Sequence, residues 1–422
     1  MPIKIVRNLV DNARKKLDKS PQYLALDIGT EFVKALIVLD DGNGRGEVIG
    51  VGRQKQRLSD MASGAVTDIP GVVQNCDSAI RRAEEMAGTS AIKTVIGIAG
   101  ELVKGGVTTI KYERLKPKTK IELPELNQIM DKIQQKAFKK VRDQISWETG
   151  NADIDVKLVN AAVVDVMIDG YHVTNPIGFQ GKDVSVSVFN AFAPLVHIGA
   201  LQTISNQLGL QLVTVAAEPY AVARSVGSDE GTEFSAIFID IGGGTTDIAV
   251  VRNGGIEGTK MFAIGGRAFT KRVANTLNTT FEKAEETKLQ YSAGNLDAKT
   301  NSLIKPAIEA DAEVWLSGVE LSLSEFSNID LLPSRILLCG GGSALPEIKK
   351  MLNGKIWYKS LPFAKKPVVD LIDPKDVNII KDKTGHIKDQ QDITPMGLAS
   401  LAVDSGDTEK IMDKLLSKVA RV

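Results

Sequence analysis

"FIDIGGGTTDIAVV", residues 238–251, reads as a strand, a turn of glycines and small hydroxyls, and a second strand. Gly242, Gly243 and Gly244 carry no Cβ, so the backbone there is free to take positive φ and aim its N–H groups at a ligand. Successive N–H groups in such a turn form an anion-binding nest, and Thr245 and Thr246 add hydroxyl donors. Asp240 ends the first strand. A carboxylate repels phosphate, but it suits Mg²⁺ held through water, because magnesium keeps much of its hydration shell while bridging phosphates.

A second such stretch, "LALDIGTEFVKALIV" (24–38), offers Asp27, Gly29 and Thr30 in the same order. The two aspartates stand 213 residues apart, so the chain repeats a whole domain rather than a short solenoid unit. A single DIG turn reads equally well as a tight hairpin with a helpful aspartate. Two of them, with a third glycine turn in "CGGGSALPE" (339–347), predict a pair of hairpins closing on one magnesium triphosphate. GxxxxGK[ST] is missing, so this is no P-loop, and no GxGxxG follows the first strand, which argues against a dinucleotide fold.

At 422 residues, 43% apolar and 25% charged, the chain has the composition of a globular protein of two domains or more. Zero net charge excludes a global field that would recruit nucleic acid. Two cysteines and three histidines, all scattered, give no metal-ligand spacing, and the cysteines read as reduced core thiols in a cytosolic protein. No apolar run is long enough to span a bilayer, and the N-terminus lacks a secretory h-region, so the expected location is the cytoplasmic side.

Along the chain, residues 1–20 place apolar residues at helical spacing among six Lys/Arg and two Asp. Residues 21–100 and 191–232, with 394–404 returning, read as a first lobe. In it, the helix beginning "GVVQNC" has its apolar stripe at Val73, Cys76, Ile80 and Ala83. Between the two pieces, 101–190 changes pattern to one polar helix flanked by alternating strands, a small α+β insert. Residues 233–393 form a second lobe that is helical over 266–335, and 405–422 a basic amphipathic helix.

The order DIGT…EP…DIGGGTTD…GG…AExxK…GGGS resembles the actin/chaperone/sugar-kinase ATPase superfamily, and within it the FtsA-like actin-family cell division proteins. The insert at 101–190, the stretch "NPIGFQG" (175–181) and "AEETK" (284–288) after "GGRAFT" carry the resemblance, which covers about residues 22–403. It implies an α/β, actin-like (ribonuclease H-like) two-lobed ATPase fold that binds ATP and Mg²⁺. Asp27, Gly29 and Thr30 match the first phosphate loop, and Asp240 with Gly242, Gly243, Gly244 and Thr245 the second, with Asp27 and Asp240 on the metal. Gly265, Gly266, Lys271, Glu285 and Lys288 match the nucleoside side, and Gly340, Gly341, Gly342 and Ser343 the adenosine loop. Glu218 matches a glutamate near the attacking water. From the residues alone, Glu285 and Lys288 at i, i+3 read as a surface ion pair or a ribose clamp. Glu218, just before Pro219, reads as a helix-start acid or a water-positioning group. At most, slow Mg-dependent ATP hydrolysis is implied.

"DTEKIMDKLLSKVARV" (407–422) puts Ile411, Met412, Leu415, Leu416 and Val419 on one helical face flanked by Lys414 and Lys418. Such a helix either lies in an anionic membrane surface or docks on its own domain. The preferred reading is a peripheral protein of the inner membrane face that polymerises with itself and anchors the tubulin-like division protein. The alternatives are a type IV pilus inner-membrane assembly protein, which has the same fold and insert, and a small-molecule kinase with Asp247 as its base.

Overall fold

A computed structural model of the chain describes residues 21–99, 103–150, 154–226, 234–327, 329–354 and 356–404. The helices expected at 1–20 and 405–422, with Ile411, Met412, Lys414, Leu415, Leu416, Lys418 and Val419, lie outside the described residues.

The chain begins with β1 (Gln22–Ile28), β2 (Phe32–Asp40), β3 (Gly46–Lys55), α1 (Ile69–Ala87) and β4 (Lys93–Ile98). The insert supplies β5 (Lys104–Glu113), α2 (Leu123–Thr149), β6 (Val156–Ile168) and β7 (Asp183–Pro194). Next come α3 (Leu195–Gln207), β8 (Gln211–Ala217) and α4 (Glu218–Ser225). The second half runs β9 (Ala236–Ile241), β10 (Thr246–Arg252), β11 (Gly255–Phe262), α5 (Gly266–Leu277), α6 (Phe281–Ser292) and α7 (Ala298–Ser324). It ends with β12 (Arg335–Cys339), α8 (Pro346–Gly354), β13 (Val368–Leu371), β14 (Ile380–Asp382) and α9 (Ile393–Asp404).

One sheet has the order β8–β4–β1–β2–β3–β14, and the other β13–β12–β9–β10–β11–β5–β7–β6 with Tyr171–His172 at its edge. Each contains an antiparallel three-strand meander, β1–β2–β3 or β9–β10–β11, extended by parallel strands. Strands buried on both faces read as near-continuous apolar runs, which is why "YLALDI" and "AIFIDI" carry so few polar residues. The insert interrupts the first sheet in chain order, between β4 and β8, yet its strand pairing runs to the second sheet. There β5 meets β11 at two positions, Gly258 opposite Gly106 and Thr259 opposite Gly105.

Helix α1 follows an Asp68 cap and stops at Gly88, whose φ of 65° is left-handed. Its buried seam is Val72, Cys76, Ala79, Ile80 and Ala83, one position off the expected stripe at Val73, which is half-buried. The shift follows from how close α1 lies to β3. A Cβ on Gly52 would come within 1.8 Å of the Ala79 carbonyl oxygen, and one on Gly50 within 2.1 Å of that of Ala83. The helical stretch after residue 281 is two helices, broken near Gly294 (φ 72°) and restarted by Asp297, which accepts the Thr300 N–H at 3.0 Å. The second lobe's core centres on Trp315, fully buried, whose Nε1 donates to Thr246 Oγ1 at 2.9 Å. The insert has a small core of its own, where Ile121, Leu126, Ile129 and Ile133 meet Val166, Val184, Val186 and Val188.

Gly52→Ala sets a methyl group against helix backbone that has no rotamer to move. The expected cost is about 3 kcal/mol, read in urea as a lower midpoint at unchanged slope; an unchanged midpoint would show that α1 does not seat on β3 this closely.

Candidate functional site

The two hairpins present their acidic ends in the same way. In β1–β2, Asp27 lies directly opposite Lys34, and in β9–β10, Asp240 lies directly opposite Asp247. Lys34 Nζ pairs with Asp27 Oδ2 at 3.0 Å, both side chains being largely buried. The second hairpin has no such cation. Asp247 accepts the Thr245 hydroxyl at 3.0 Å, and Asp240 Oδ2 accepts the Thr394 hydroxyl from the start of α9.

These groups sense one another. Burial lowers the Lys34 ammonium, but Asp27, and further off Asp240 and Asp392, more than restore it and hold it above the usual lysine range. Burial raises the Asp240 carboxyl; Thr394 and Lys34 pull it back, while Asp27 adds to the rise. Burial and then Asp240 push Asp247 up to about 8. Glu218, at the start of α4, retains some surface exposure, yet burial of its carboxyl and then Asp27, Asp247 and Asp240 drive it well above the carboxylate range. Its Oε1 lies beside the β4 backbone, 2.8 Å from where a Gly97 Cβ would be. The two expected metal-side aspartates and the expected water-positioning glutamate are therefore near enough to act on one another's charge.

The glycine turns pack tip to tip. A Cβ on Gly243 would sit 2.9 Å from Glu31 Cβ, and one on Gly244 2.9 Å from Thr30 Oγ1. Gly29 donates to Phe32 O at 3.1 Å, closing the first turn. In the second, the N–H groups of Gly266 and Arg267 donate to the carbonyls of Gly242 (2.9 Å) and Gly243 (2.8 Å), so α5 is seated on the turn. Gly265 fits between: a Cβ there would meet Gly242 O at 2.6 Å. Arg267 then crosses to the first lobe, with Nε on Glu31 Oε2 at 2.8 Å and Nη2 on the Thr30 carbonyl at 2.6 Å.

Where the resemblance implies a nucleoside, Glu285 and Lys288 form neither a surface pair nor an open clamp. Lys288 is buried, and its Nζ reaches Glu285 Oε2 (2.8 Å), Thr270 Oγ1 (2.8 Å) and the Gly266 carbonyl (3.1 Å), bracing α6 on α5. All three ammonium protons are used, so ribose contact requires exchanging one of these bonds. Lys271 stands on the exposed side of α5 and is not drawn into this cluster. The third glycine turn does join the site. Gly340, at φ 79°, leaves room for Asp240, whose Oδ1 would lie 2.1 Å from a Cβ there. Gly341 borders Gln391, Gly342 packs on Ile241, and Ser343 donates to the Gly340 carbonyl at 2.7 Å.

Lys34, Glu31, Arg267 and Thr394 are members of the site that the sequence reading passed over. Lys34 was within reach, since it stands as far after Asp27 as Asp247 stands after Asp240. Arg267 and Thr394 come from elements distant in sequence, and no local pattern marks them.

The family described as "Cell division protein FtsA" matches residues 237–385. The chain is 27% identical over 346 residues to the "Cell division protein FtsA" of Pseudomonas aeruginosa, covering 76% of this chain and 78% of that protein. With the protein of the same name from Streptococcus pneumoniae it is 26% identical over 343 residues, covering 77% and 71%. Among solved structures, a chain of the "PilM-PilN type IV pilus biogenesis complex" superposes with a TM-score of 0.63 at 18% identity, over 90% of this chain and 98% of that one. The fold is actin-like, and the resemblance to the FtsA-like proteins holds over most of the chain.

Asp247 binds its proton more tightly folded than unfolded, so from pH 4 to 8 the folded state holds the extra proton and stability falls as pH rises. Asp247→Asn removes that loss. The variant is expected to melt about 3 °C or more above the parent at pH 8 and to converge with it near pH 4; parallel melting curves across this range would contradict the assignment.

Proposed function

We propose that this chain is an ATP-binding, actin-like cell division protein of the FtsA type, which polymerises at the inner membrane face and tethers the tubulin-like division protein. The observation that carries the reading is the tip-to-tip packing of the Asp27 and Asp240 hairpins, with the two aspartates acting on each other's charge, in a chain similar to FtsA proteins over about three-quarters of its length.

The donor set fits a magnesium nucleotide. Four carboxylates share the cleft with Lys34, and burial holds two of them far from their ordinary ionisation. A divalent cation offsets that charge with the hard oxygen ligands it prefers. Among the described residues no group of three or more His, Cys, Asp or Glu is arranged to enclose a metal. On this reading Asp27 and Asp240 act through water, and phosphate oxygens complete the shell. When bound, Mg²⁺ neutralises phosphate charge and leaves little covalent chemistry for the protein. Lys34 and the turns at Gly29–Thr30 and Gly242–Thr245 hold the phosphates. Gly340–Ser343, Gly265, Gly266 and the Glu285–Lys288 brace border the nucleoside, and Glu218 orients a water, with slow turnover. Attachment falls to the basic helix at 407–422, and the partner surface to the helical part of the second lobe, 260–335. One short helix binds weakly, so polymerisation makes attachment firm by avidity.

Three measurements bear on these claims. Asp240→Asn should weaken Mg-ATP binding about a hundredfold or more by calorimetry, with the circular dichroism spectrum unchanged; micromolar affinity in that variant would remove the metal assignment. Deleting 408–422 should release the protein from anionic vesicles in flotation, and undiminished flotation would relocate the anchor. A pull-down from the native cell should recover the tubulin-like division protein. Recovery of pilus membrane proteins instead would favour the pilus-assembly reading, which the PilM-like fold fits equally well.

A further inference from the structure

The far end of the insert is a tip built from three loops pinned together. Arg114 is the rivet: its side chain is 1% exposed, and Nε and Nη2 each donate to the Glu125 carboxylate at 2.8 Å. Its Nη1 donates to the carbonyls of Thr119 (3.0 Å) and Gly181 (3.1 Å), one on each of two loops. Backbone bonds repeat the link, from Arg114 N to Lys182 O (2.8 Å), Gly181 N to Pro117 O (3.0 Å) and Ile121 N to Phe179 O (2.8 Å). Asp169 adds the third loop by accepting the N–H groups of Lys182 and Asp183 at 2.9 and 2.7 Å. A bidentate, buried Arg–carboxylate pair of this kind fixes geometry as well as adding energy.

On this fixed frame the residue next to the rivet, Leu115, is 95% exposed; Phe179 is 49% and Tyr171 77% exposed on the adjoining loops. Single exposed apolar residues need no explanation, but three grouped on one rigid tip do. Lys116, Lys118 and Lys120 follow Leu115 in sequence, all exposed and with no ion partner among the described residues. Of the acids nearby, Glu125 pairs with Arg114 and Glu113 with Lys182 at 3.0 Å, while Asp169 and Asp183 also act on these two cations. Glu122 stands exposed beside the three lysines, which have no ion partner among the described residues.

We propose that this tip is a membrane-contact site in its own right, with Leu115 and Phe179 entering the headgroup–acyl boundary of an anionic bilayer and Lys116, Lys118 and Lys120 lying against its headgroups. An apolar side chain that stands almost wholly clear of its neighbours needs a surface it can penetrate, and unmatched cations around it need negative charge. An anionic lipid surface offers both. The site lies in the insert and stands whether or not the helix expected from the sequence of 407–422 binds.

The test uses the full chain carrying Leu115→Cys, labelled with an environment-sensitive dye. Cys76 and Cys339 are completely buried, so the dye reports position 115 alone. With vesicles of phosphatidylglycerol and phosphatidylcholine the emission should shift to the blue and be quenched by lipid brominated in the upper acyl chain. Unlabelled Leu115→Asp should lower vesicle affinity about tenfold, and Lys116→Gln, Lys118→Gln and Lys120→Gln together about a hundredfold. Unchanged emission on a chain that sediments with vesicles would place attachment elsewhere and overturn the proposal, as would failure to sediment at all. A shift produced by soluble polyglutamate but not by vesicles would also overturn it, in favour of an acidic protein partner.

Discussion

Like charges held close together in a poorly solvated cleft are the constraint around which this molecule is arranged. Asp27, Asp240, Asp247 and Glu218 act on one another electrostatically, with Lys34 the cation that answers them. Taking an ion out of water costs several kcal/mol unless it is paired and hydrogen-bonded. The surrounding structure reduces that cost piecemeal. Thr245 and Thr394 each give a hydroxyl to one aspartate, and Asp247 and Glu218 keep their protons beyond the usual range. The last helix takes part as well. Arg53 of β3 pairs with Asp392, two residues before Thr394, and the Gly340 N–H donates to the Gln390 carbonyl at 2.9 Å. The segment before α9 is thus tied to both lobes at the cleft.

Much of this was legible in the sequence, for reasons that also explain the gaps. Strand runs and glycine turns are local, so both meanders, the three turns and the insert's change of pattern could be read directly. A hairpin's opposite pairs follow from its turn length, which made Lys34 and Asp247 readable as partners of Asp27 and Asp240 once the turn was placed. On α1 the expected Cys76, Ile80 and Ala83 are buried, but Val72 takes the place of Val73, because both are apolar and periodicity alone does not choose between them. The choice is made by Gly50 and Gly52, which let the α1 backbone sit directly on β3. Glu285 and Lys288 carried a legible spacing, but Thr270, which turns the pair into a buried brace, comes from another helix. Arg267 spans the lobes and has no local signature at all.

The insert shows most clearly where sequence order and space part company. It leaves the first sheet after β4 and returns before β8, so both its covalent ends belong to the first lobe. Its one strand contact along the edge, however, is with β11 of the second lobe, through Gly105, Gly106 and Gly258. Glycine is what makes the contact possible, since a Cβ on Gly105 would lie 2.2 Å from Thr259 Oγ1. A join carried by glycines leaves no apolar alternation to read.

That geometry has a mechanical consequence. Two registered positions are few for a strand pair, and they form the seam between a body covalently rooted in one lobe and a sheet belonging to the other. Arg267 makes a second bridge at the cleft, from α5 to Glu31 and Thr30. A change in the angle between the lobes would act on the Arg267 bridge, on the short glycine seam beside the insert and on the segment before α9 that is tied to both lobes. The bridge and the seam are connected through β11 and the β9–β10 hairpin, which share one sheet. The insert's β5 and the Asp240–Asp247 hairpin thus belong to one continuous hydrogen-bonded sheet, although the insert's covalent ends are rooted in the other lobe.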